Sequence, residues 1–216
     1  MRHASVAYFE PDGRPVRPES VPLTPEGENQ ARAARDALAG VHFDRSVTSG
    51  LKRTLETAQI VAPGIEPEVW PDLRELEAGR LDEISDEDLE ETFAGAFRGI
   101  VPEETRFLGG ETIGSLFDRV VPALERLLAD ESWDVLLAVL HGGVNRAILS
   151  YALTGKRTFL GNFEQAPACV NILDAGGGHW VVRAVNLTPY DPTHLGGRET
   201  TMEQLYREYR PYREKP

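Results

Sequence analysis

Cysteine is nearly absent from this chain, with Cys169 the only one. No intrachain disulfide can form, and paired-cysteine metal sites are excluded. No apolar run approaches the ~20 residues that a membrane-spanning helix needs. The opening residues lack the apolar segment of a signal peptide. Basic residues are outnumbered, 23 Lys and Arg against 35 Asp and Glu, for a formal net charge of −12. That balance argues against non-specific nucleic-acid binding and against docking on anionic membranes, but leaves room for a local basic pocket. These absences point to a cytoplasmic chain. Internal repeats and low-complexity segments are also lacking. What remains is 216 residues, 41% of them hydrophobic. That is enough for one globular domain with a substantial core.

The stretch 133–155 organises the rest. Its first part, through Leu140, is a continuous apolar run of strand length, as expected for a strand covered by helices on both faces. Val144, Ile148, Leu149 and Ala152 then recur with helical spacing. His141, Gly142 and Gly143 therefore fall where a buried strand ends and a helix starts. In open α/β sheets ligands bind at that edge, and a helix N-terminus favours an anion. The plainer reading is a glycine-rich turn capped by a histidine. This stretch alone does not separate the two.

Taken in order, the chain opens with Arg2 and His3, followed by a Pro- and Gly-rich loop over 10–25. Thr24, Pro25 and Glu26 supply an N-cap, a first-position proline and an acidic first turn for a helix running to about residue 38. A short strand is expected over 43–48. A second helix opens at 49–53, with Leu51, Leu55, Ala58 and Ala62 on one face. Arg53 sits near its first turn, either in a surface ion pair or at an anion site. Loop and short strand follow over 65–73, then Glu75 and Glu77. Ser85 and the acidic residues after it cap a helix carrying Leu89, Phe93 and Phe97. The loop 99–110 ends in two glycines. The clearest helix follows, with an apolar stripe from Ile113 to Leu128 and a kink expected at Pro122. A loop over 154–166 leads to strands at 169–173 and 180–185, with 174–179 as their turn. His179 should be exposed there, and Cys169 should be a small buried residue. After an irregular loop over 186–199, an amphipathic tail helix at 200–209 carries Met202, Leu205, Tyr206 and Tyr209. It docks on the body or meets a partner subunit, which leaves a homodimer open. The order of elements implies a three-layer α/β/α sandwich. Its central sheet is mostly parallel, with a C-terminal antiparallel hairpin strand. We place this domain at 1–197 and the amphipathic tail at 198–216.

Several weak signals now combine. They are the Arg2-His3 pair, the run from Ser49 through Arg53 to Thr57-Ala58, the segment Leu73, Glu75 and Gly79, and the late His141-Gly142-Gly143. In this order the chain resembles the histidine phosphatase superfamily, which includes phosphoglycerate mutases and acid phosphatases. The resemblance runs from residue 2 to about residue 185. It implies that His3 is a nucleophile carrying a phosphoryl group between two half-reactions. It implies that Arg2, Arg53, His141 and the Gly142 end of the helix surround that group, and that Glu75 donates a proton to the leaving oxygen and then activates water. Phosphoryl transfer spreads charge over three oxygens, so such a set catalyses by position and charge. The implied chemistry needs no cofactor and no metal, and no metal-ligand cluster is visible. Tyr8, Arg14 and Arg17 are candidate substrate contacts. Arg98 and Arg106 are further candidates for an anionic leaving group, with a plain surface role as the alternative.

The chain departs from the family pattern in three places. Ala4 follows the Arg-His pair where glycine is usual. Tyr8 stands where asparagine is frequent, which puts mutase-like contacts in doubt. The strand expected to lead into Arg2-His3 is reduced to Met1. A gap in a buried sheet would leave backbone groups unpaired at ~1–3 kcal/mol each, against a typical stability of ~5–15 kcal/mol. The favoured expectation is a short apolar segment upstream in the natural protein. A chain extended in that way should then be more stable and more active. The alternative is that residues after His3 or a neighbouring strand fill the gap.

The function expected is hydrolysis of a small phosphorylated metabolite through a phosphohistidine. Mutases of the family carry extra basic residues after the acid, whereas 81–97 here holds no Lys or Arg. A phosphoglycerate or sugar-phosphate mutase, and a non-catalytic binder of phosphorylated ligands, are the alternatives.

Overall fold

The apolar run ahead of His141 is a strand, and the sheet forms around it. The computed structural model describes residues 1–196 and 199–214. In chain order its elements are α1 (Pro25–Ala37), β1 (Arg45–Thr48), α2 (Lys52–Val61), β2 (Glu68–Val69), α3 (Leu89–Ala94), β3 (Ile100–Val101), α4 (Ile113–Leu128), β4 (Leu136–Val139), α5 (Gly142–Thr154), β5 (Phe159–Leu160), β6 (Val170–Gly176), β7 (His179–Leu187) and α6 (Thr201–Arg213). β1 lies between β2 and β4 and pairs with both in parallel. Side chains alternate across β4 and so reach two separate cores. Leu137 and Val139 pack with Ala31 and Ala34 of α1 and Ala58 and Val61 of α2. Ala138 and Leu140 pack with Leu116, Phe117 and Val120 of α4 and Val144 of α5. Parallel strands with helices on both faces make the expected three layers, and the antiparallel hairpin β6–β7 completes the mixed architecture.

Met1 to His3 lie beside the end of β4. The Met1 ammonium donates to the Ala138 carbonyl at 2.6 Å. Leu140 N donates to Met1 O and His3 N to Leu140 O, both at 2.9 Å. On the other side Arg2 N reaches Cys169 O, and Ala168 N reaches His3 O, both at 3.1 Å. The expected gap is therefore closed: the segment 168–169 comes up to pair with the stub. Desolvation holds the Met1 ammonium down to about 6, against a counteracting interaction with Cys169.

The local chemistry of the helices matches their positions. Thr24 caps α1 by accepting from Gly27 N. A Cβ on Gly27 would stand 2.2 Å from Ser5 O, so the N-terminal segment crosses α1 at a glycine. Thr112 caps α4. Pro122 is exposed on α4, which runs through it as one helix.

Other expectations need correction. The turn of the hairpin is shorter than 174–179. Pairing continues through Asp174↔Val181 to Gly176↔His179, so the turn is Gly177-Gly178. Short polar residues there mimic a loop, but the backbone ladder needs no apolar side chains. Of the leucine-alanine stripe on α2, Ala58 and Ala62 are buried in the core, while Leu51 and Leu55 are half-buried. Arg53, Thr54 and Thr57 are buried with Ala58 and Val61, because this end of α2 faces the site. Phe97 lies beyond α3 and stacks on Phe107 at 5.5 Å instead of continuing the helix. The loops 99–110 and 154–166 each contain a short strand, β3 and β5, paired antiparallel.

The tail helix extends through Pro211 to Arg213, four residues past the expected Tyr209. A capping box at Thr200 and Glu203 starts it. Met202 and Tyr209 are buried with Leu89 and Phe93 of α3, so the apolar face is covered within the chain. The expected boundary between 197 and 198 falls on residues outside those described. Among the described residues no helix is long and apolar enough to cross a membrane.

Candidate active site

The pairing around Met1 to His3 sets the His3 ring beside His141, with centroids 5.2 Å apart and planes at 64°. Both rings are essentially buried, at 2% and 0% exposure. His3 Nδ1 lies 2.8 Å from Ala4 O. A carbonyl only accepts, so Nδ1 carries the hydrogen and Nε2 presents a lone pair. That Nε2 lies 3.4 Å from the Tyr8 hydroxyl. Ala4, fully buried, donates its N–H to Thr57 Oγ1 at 3.1 Å. The methyl group at this usual glycine position is thus accommodated.

His141 is the N-cap residue of α5. Its Nε2 lies 2.8 Å from Ser49 Oγ. Thr54 spends its hydroxyl proton on Leu51 O at 2.7 Å, and Ser49 Oγ lies 3.1 Å from Thr54 Oγ1. Ser49 therefore donates to Thr54 and accepts from His141 Nε2–H. His141 Nδ1 is left bare, buried and without a partner.

Two buried arginines converge on the pair. Arg2 Nη1 donates to Gln165 O at 2.5 Å and to Thr201 Oγ1 at 2.6 Å. Arg53 Nη1 donates to Pro18 O, and its guanidinium lies 5.6 Å from the centre of the Tyr8 ring. The Nε of each arginine is buried without a partner. An unpartnered buried donor is costly, and a tetrahedral anion would satisfy it.

Glu75 reaches the same place from the other side. Both its carboxylate oxygens accept from Gly143 N at 3.1 Å, and Oε1 accepts from Leu76 N at 3.0 Å. Arg119 holds its irregular segment by donating to the carbonyls of Asp72, Arg74 and Glu75 at 2.8, 2.6 and 3.2 Å. Over Gly142 the groups meet. A Cβ built there would stand 3.7 Å from Glu75 Oε2 and 3.8 Å from Arg2 Nε.

Arg2, His3 and Tyr8 line a cleft of ≈ 560 Å³. Arg14 and Arg17 do not join them. The loop turns sharply, with Glu10 N on Arg14 O at 2.9 Å, and both side chains are exposed. Arg98 pairs with Glu91 at 3.0 Å, and Arg106 donates to Gly110 O at 2.9 Å. Ser49, Thr57, Gly143, Gln165, Thr201 and Arg119 hold the site residues and were not among the candidates read from the sequence. Ser49, Thr57 and Gly143 carried a signal, since all three lie inside the recognised motifs.

The family model of the histidine phosphatase superfamily (branch 1) matches residues 1–188. The chain belongs to this superfamily. A protein of Arabidopsis thaliana named as a probable 2-carboxy-D-arabinitol-1-phosphatase is 31% identical over 194 residues, covering 84% of this chain and 40% of that protein. A probable phosphoglycerate mutase of Salmonella paratyphi A is 34% identical over 125 residues, covering 56% and 58%. The chain thus spans less than two thirds of the length of these relatives. Among solved structures, the alpha-ribazole phosphatase of Shigella flexneri superposes with a TM-score of 0.68 at 20% identity, covering 86% of this chain and 94% of that one. A mycobacterial glucosyl-3-phosphoglycerate phosphatase in complex with inorganic phosphate superposes with a TM-score of 0.67 at 22% identity, covering 87% and 95%. At these identities the structures establish the fold alone.

In this superfamily member, desolvation and then the nearby arginines hold the His3 imidazole well below its usual pKa of 6.5. Desolvation, Arg53 and His3 do the same to His141. Both rings are neutral in the folded chain. Below pH 6.5 the unfolded chain takes up protons that the folded chain refuses, so folding loses stability as pH falls. We expect unfolding free energy to drop steadily from pH 6.5 downward, by on the order of 1 kcal/mol per pH unit for each ring, and melting temperature to fall with it. Inorganic phosphate should blunt that drop, because an anion stabilises the imidazolium. A melting temperature that stays flat between pH 7 and 5 would contradict the burial of two neutral rings.

Proposed function

We propose that the chain hydrolyses a small phosphate monoester through a phosphohistidine on His3. The observation that carries this reading is the His3 ring. It has one nitrogen fixed by Ala4 O and the other facing the Tyr8 hydroxyl at 3.4 Å beside the cleft, and it stands 5.2 Å from a second buried imidazole. Nε2 attacks phosphorus and the ester oxygen departs with a proton from Glu75. Water then attacks the phosphohistidine, giving its proton to Glu75, and phosphate and free imidazole result. Arg2 and Arg53 meet the equatorial oxygens with donors that lack protein partners. His141 adds a hydrogen bond from Nδ1 once protonated, and the α5 N-terminus adds its dipole. No step is assigned to a cofactor or a metal. Residue composition supports a cytoplasmic setting and argues against nucleic acid and membranes as partners.

Hydrolysis is favoured over the mutase reaction because the segment 81–97 has no basic side chain and buries Leu89 and Phe93 against α6. Two cations that reach this segment, Arg98 and Arg213, are paired with Glu91 and Asp86. The test is turnover of an aryl phosphate with and without a bisphosphoglycerate. Hydrolysis that needs no bisphosphoglycerate supports the phosphatase. Isomerisation of phosphoglycerate that does need it supports the mutase. Phosphate binding without turnover leaves the non-catalytic reading.

A further inference from the structure

The cleft above His3 has an unusual lining for an enzyme that handles anions. Its walls are the segment after Ala4 and the C-terminal helix α6, which Arg2 joins through Thr201. Four carboxylates line it, those of Glu10, Asp12, Glu26 and Glu208. Beyond Arg2, whose unpartnered Nε belongs to the phosphoryl position, the one cation in the lining is Arg207. Arg207 is paired with Glu199 at 2.9 Å. The carboxylates of Glu26 and Glu208 accept only from the neutral amides of Gln30 and Gln204, at 3.3 and 2.8 Å. Among the described residues, no ion pair forms at Glu10, Glu26 or Glu208. Tyr8 and Phe9 also line the cleft, the Tyr8 ring with Arg53 5.6 Å from its centre and the Phe9 ring 5.7 Å from that of Tyr209.

Charge defines a leaving-group chamber. Arg2 is only 6% exposed, and its Nε is the kind of buried donor that a bound phosphoryl group satisfies. An ester held there by its phosphoryl group, with its alcohol part running along the cleft, passes among these carboxylates. A carboxylate or second phosphate on that part would be repelled. An ammonium would be attracted by the carboxylates. We propose that the preferred substrates are phosphate monoesters of amino alcohols, whose alcohol part carries a positive charge. This inference rests on the phosphatase reading above.

The test uses three esters of nearly equal size: phosphoethanolamine, ethylene glycol phosphate and phosphoglycolate. They carry an ammonium, a hydroxyl and a carboxylate at the far end. For the full chain, kcat/KM should fall about tenfold at each step of that series. Raising the salt concentration should compress the series, because screening weakens exposed charges. The double substitution Glu10→Gln with Glu208→Gln should shrink the ratio of the first ester to the third by about tenfold. The ratio needs no correction for folded fraction, and melting curves report the folding of the variant separately. A preference for phosphoglycolate or for the neutral ester would overturn the proposal. So would a ratio unchanged in the double variant. If the folded wild-type chain turns over none of these esters and no aryl phosphate either, the phosphatase reading itself fails and this one with it.

Discussion

His3→Ala should lower phosphatase turnover by ~10,000-fold or more, the scale on which removal of a nucleophile acts. It should also abolish the phosphorylated enzyme. A phosphate label on nitrogen survives alkali and is lost in acid, which separates it from an ester on serine or threonine. The expectation rests on three constraints around one residue. The His3 backbone is pinned from both sides, by Leu140 O at 2.9 Å and Ala168 N at 3.1 Å. The ring is pinned by Ala4 O at 2.8 Å. The remaining nitrogen is unprotonated, because burial and two guanidiniums oppose the charged form. His141 offers the control. Its Nε2 is tied to Ser49 at 2.8 Å, so it suits charge stabilisation better than attack. His141→Ala should slow labelling without preventing it. Labelling that persists in His3→Ala and disappears in His141→Ala would exchange the two roles.

The residues of this constellation were legible in the sequence because each sits where local grammar exposes it. His141 follows an apolar run and precedes a helical stripe, so its place at the carboxyl end of β4 could be read from patterning. Thr24 and Pro25 announced α1 in the same way. The holders of the site were not legible. Gln165 and Thr201 grip Arg2 across 163 and 199 residues of chain, and such contacts have no local signature. α2 was only partly legible for a related reason. Hydrophobic periodicity finds the face that meets a greasy core, whereas this helix turns Arg53, Thr54 and Thr57 inward toward a polar site. The hairpin turn misled because β6 carries Asp174, Ala175 and Gly176, all poor strand formers, on an exposed pair held by its ladder. Tyr8 was read as a departure from the family. The structure puts it 3.4 Å from the nucleophilic nitrogen, where its hydroxyl meets whatever His3 meets.

Glu75→Gln should divide substrates by their leaving groups. An alkyl alcohol leaves as a strongly basic oxyanion and needs a proton as the bond breaks. An aryl alcohol leaves far more readily. We expect a loss of ~100- to 1,000-fold for alkyl phosphates and less than about tenfold for aryl phosphates in the first half-reaction. Glutamine keeps the shape and an oxygen to accept from Gly143 N and Leu76 N, the donors now at 3.1 and 3.0 Å. What it lacks is the transferable proton. Equal losses on both substrate classes would take Glu75 out of the acid role. Gly143→Ala supplies an independent check with the carboxyl group chemically intact. An added Cβ there would lie 2.6 Å from Glu75 Oε1 and 2.8 Å from Leu76 Cδ1. Both must move, and Arg119 limits how far the backbone of Glu75 can follow. A displacement of about 1 Å at a reacting group costs ~100-fold. The substitution should therefore reproduce the alkyl-selective loss of Glu75→Gln, since it misplaces the same proton. If Gly143→Ala instead slowed both classes alike, the second glycine would serve the phosphoryl group rather than the acid.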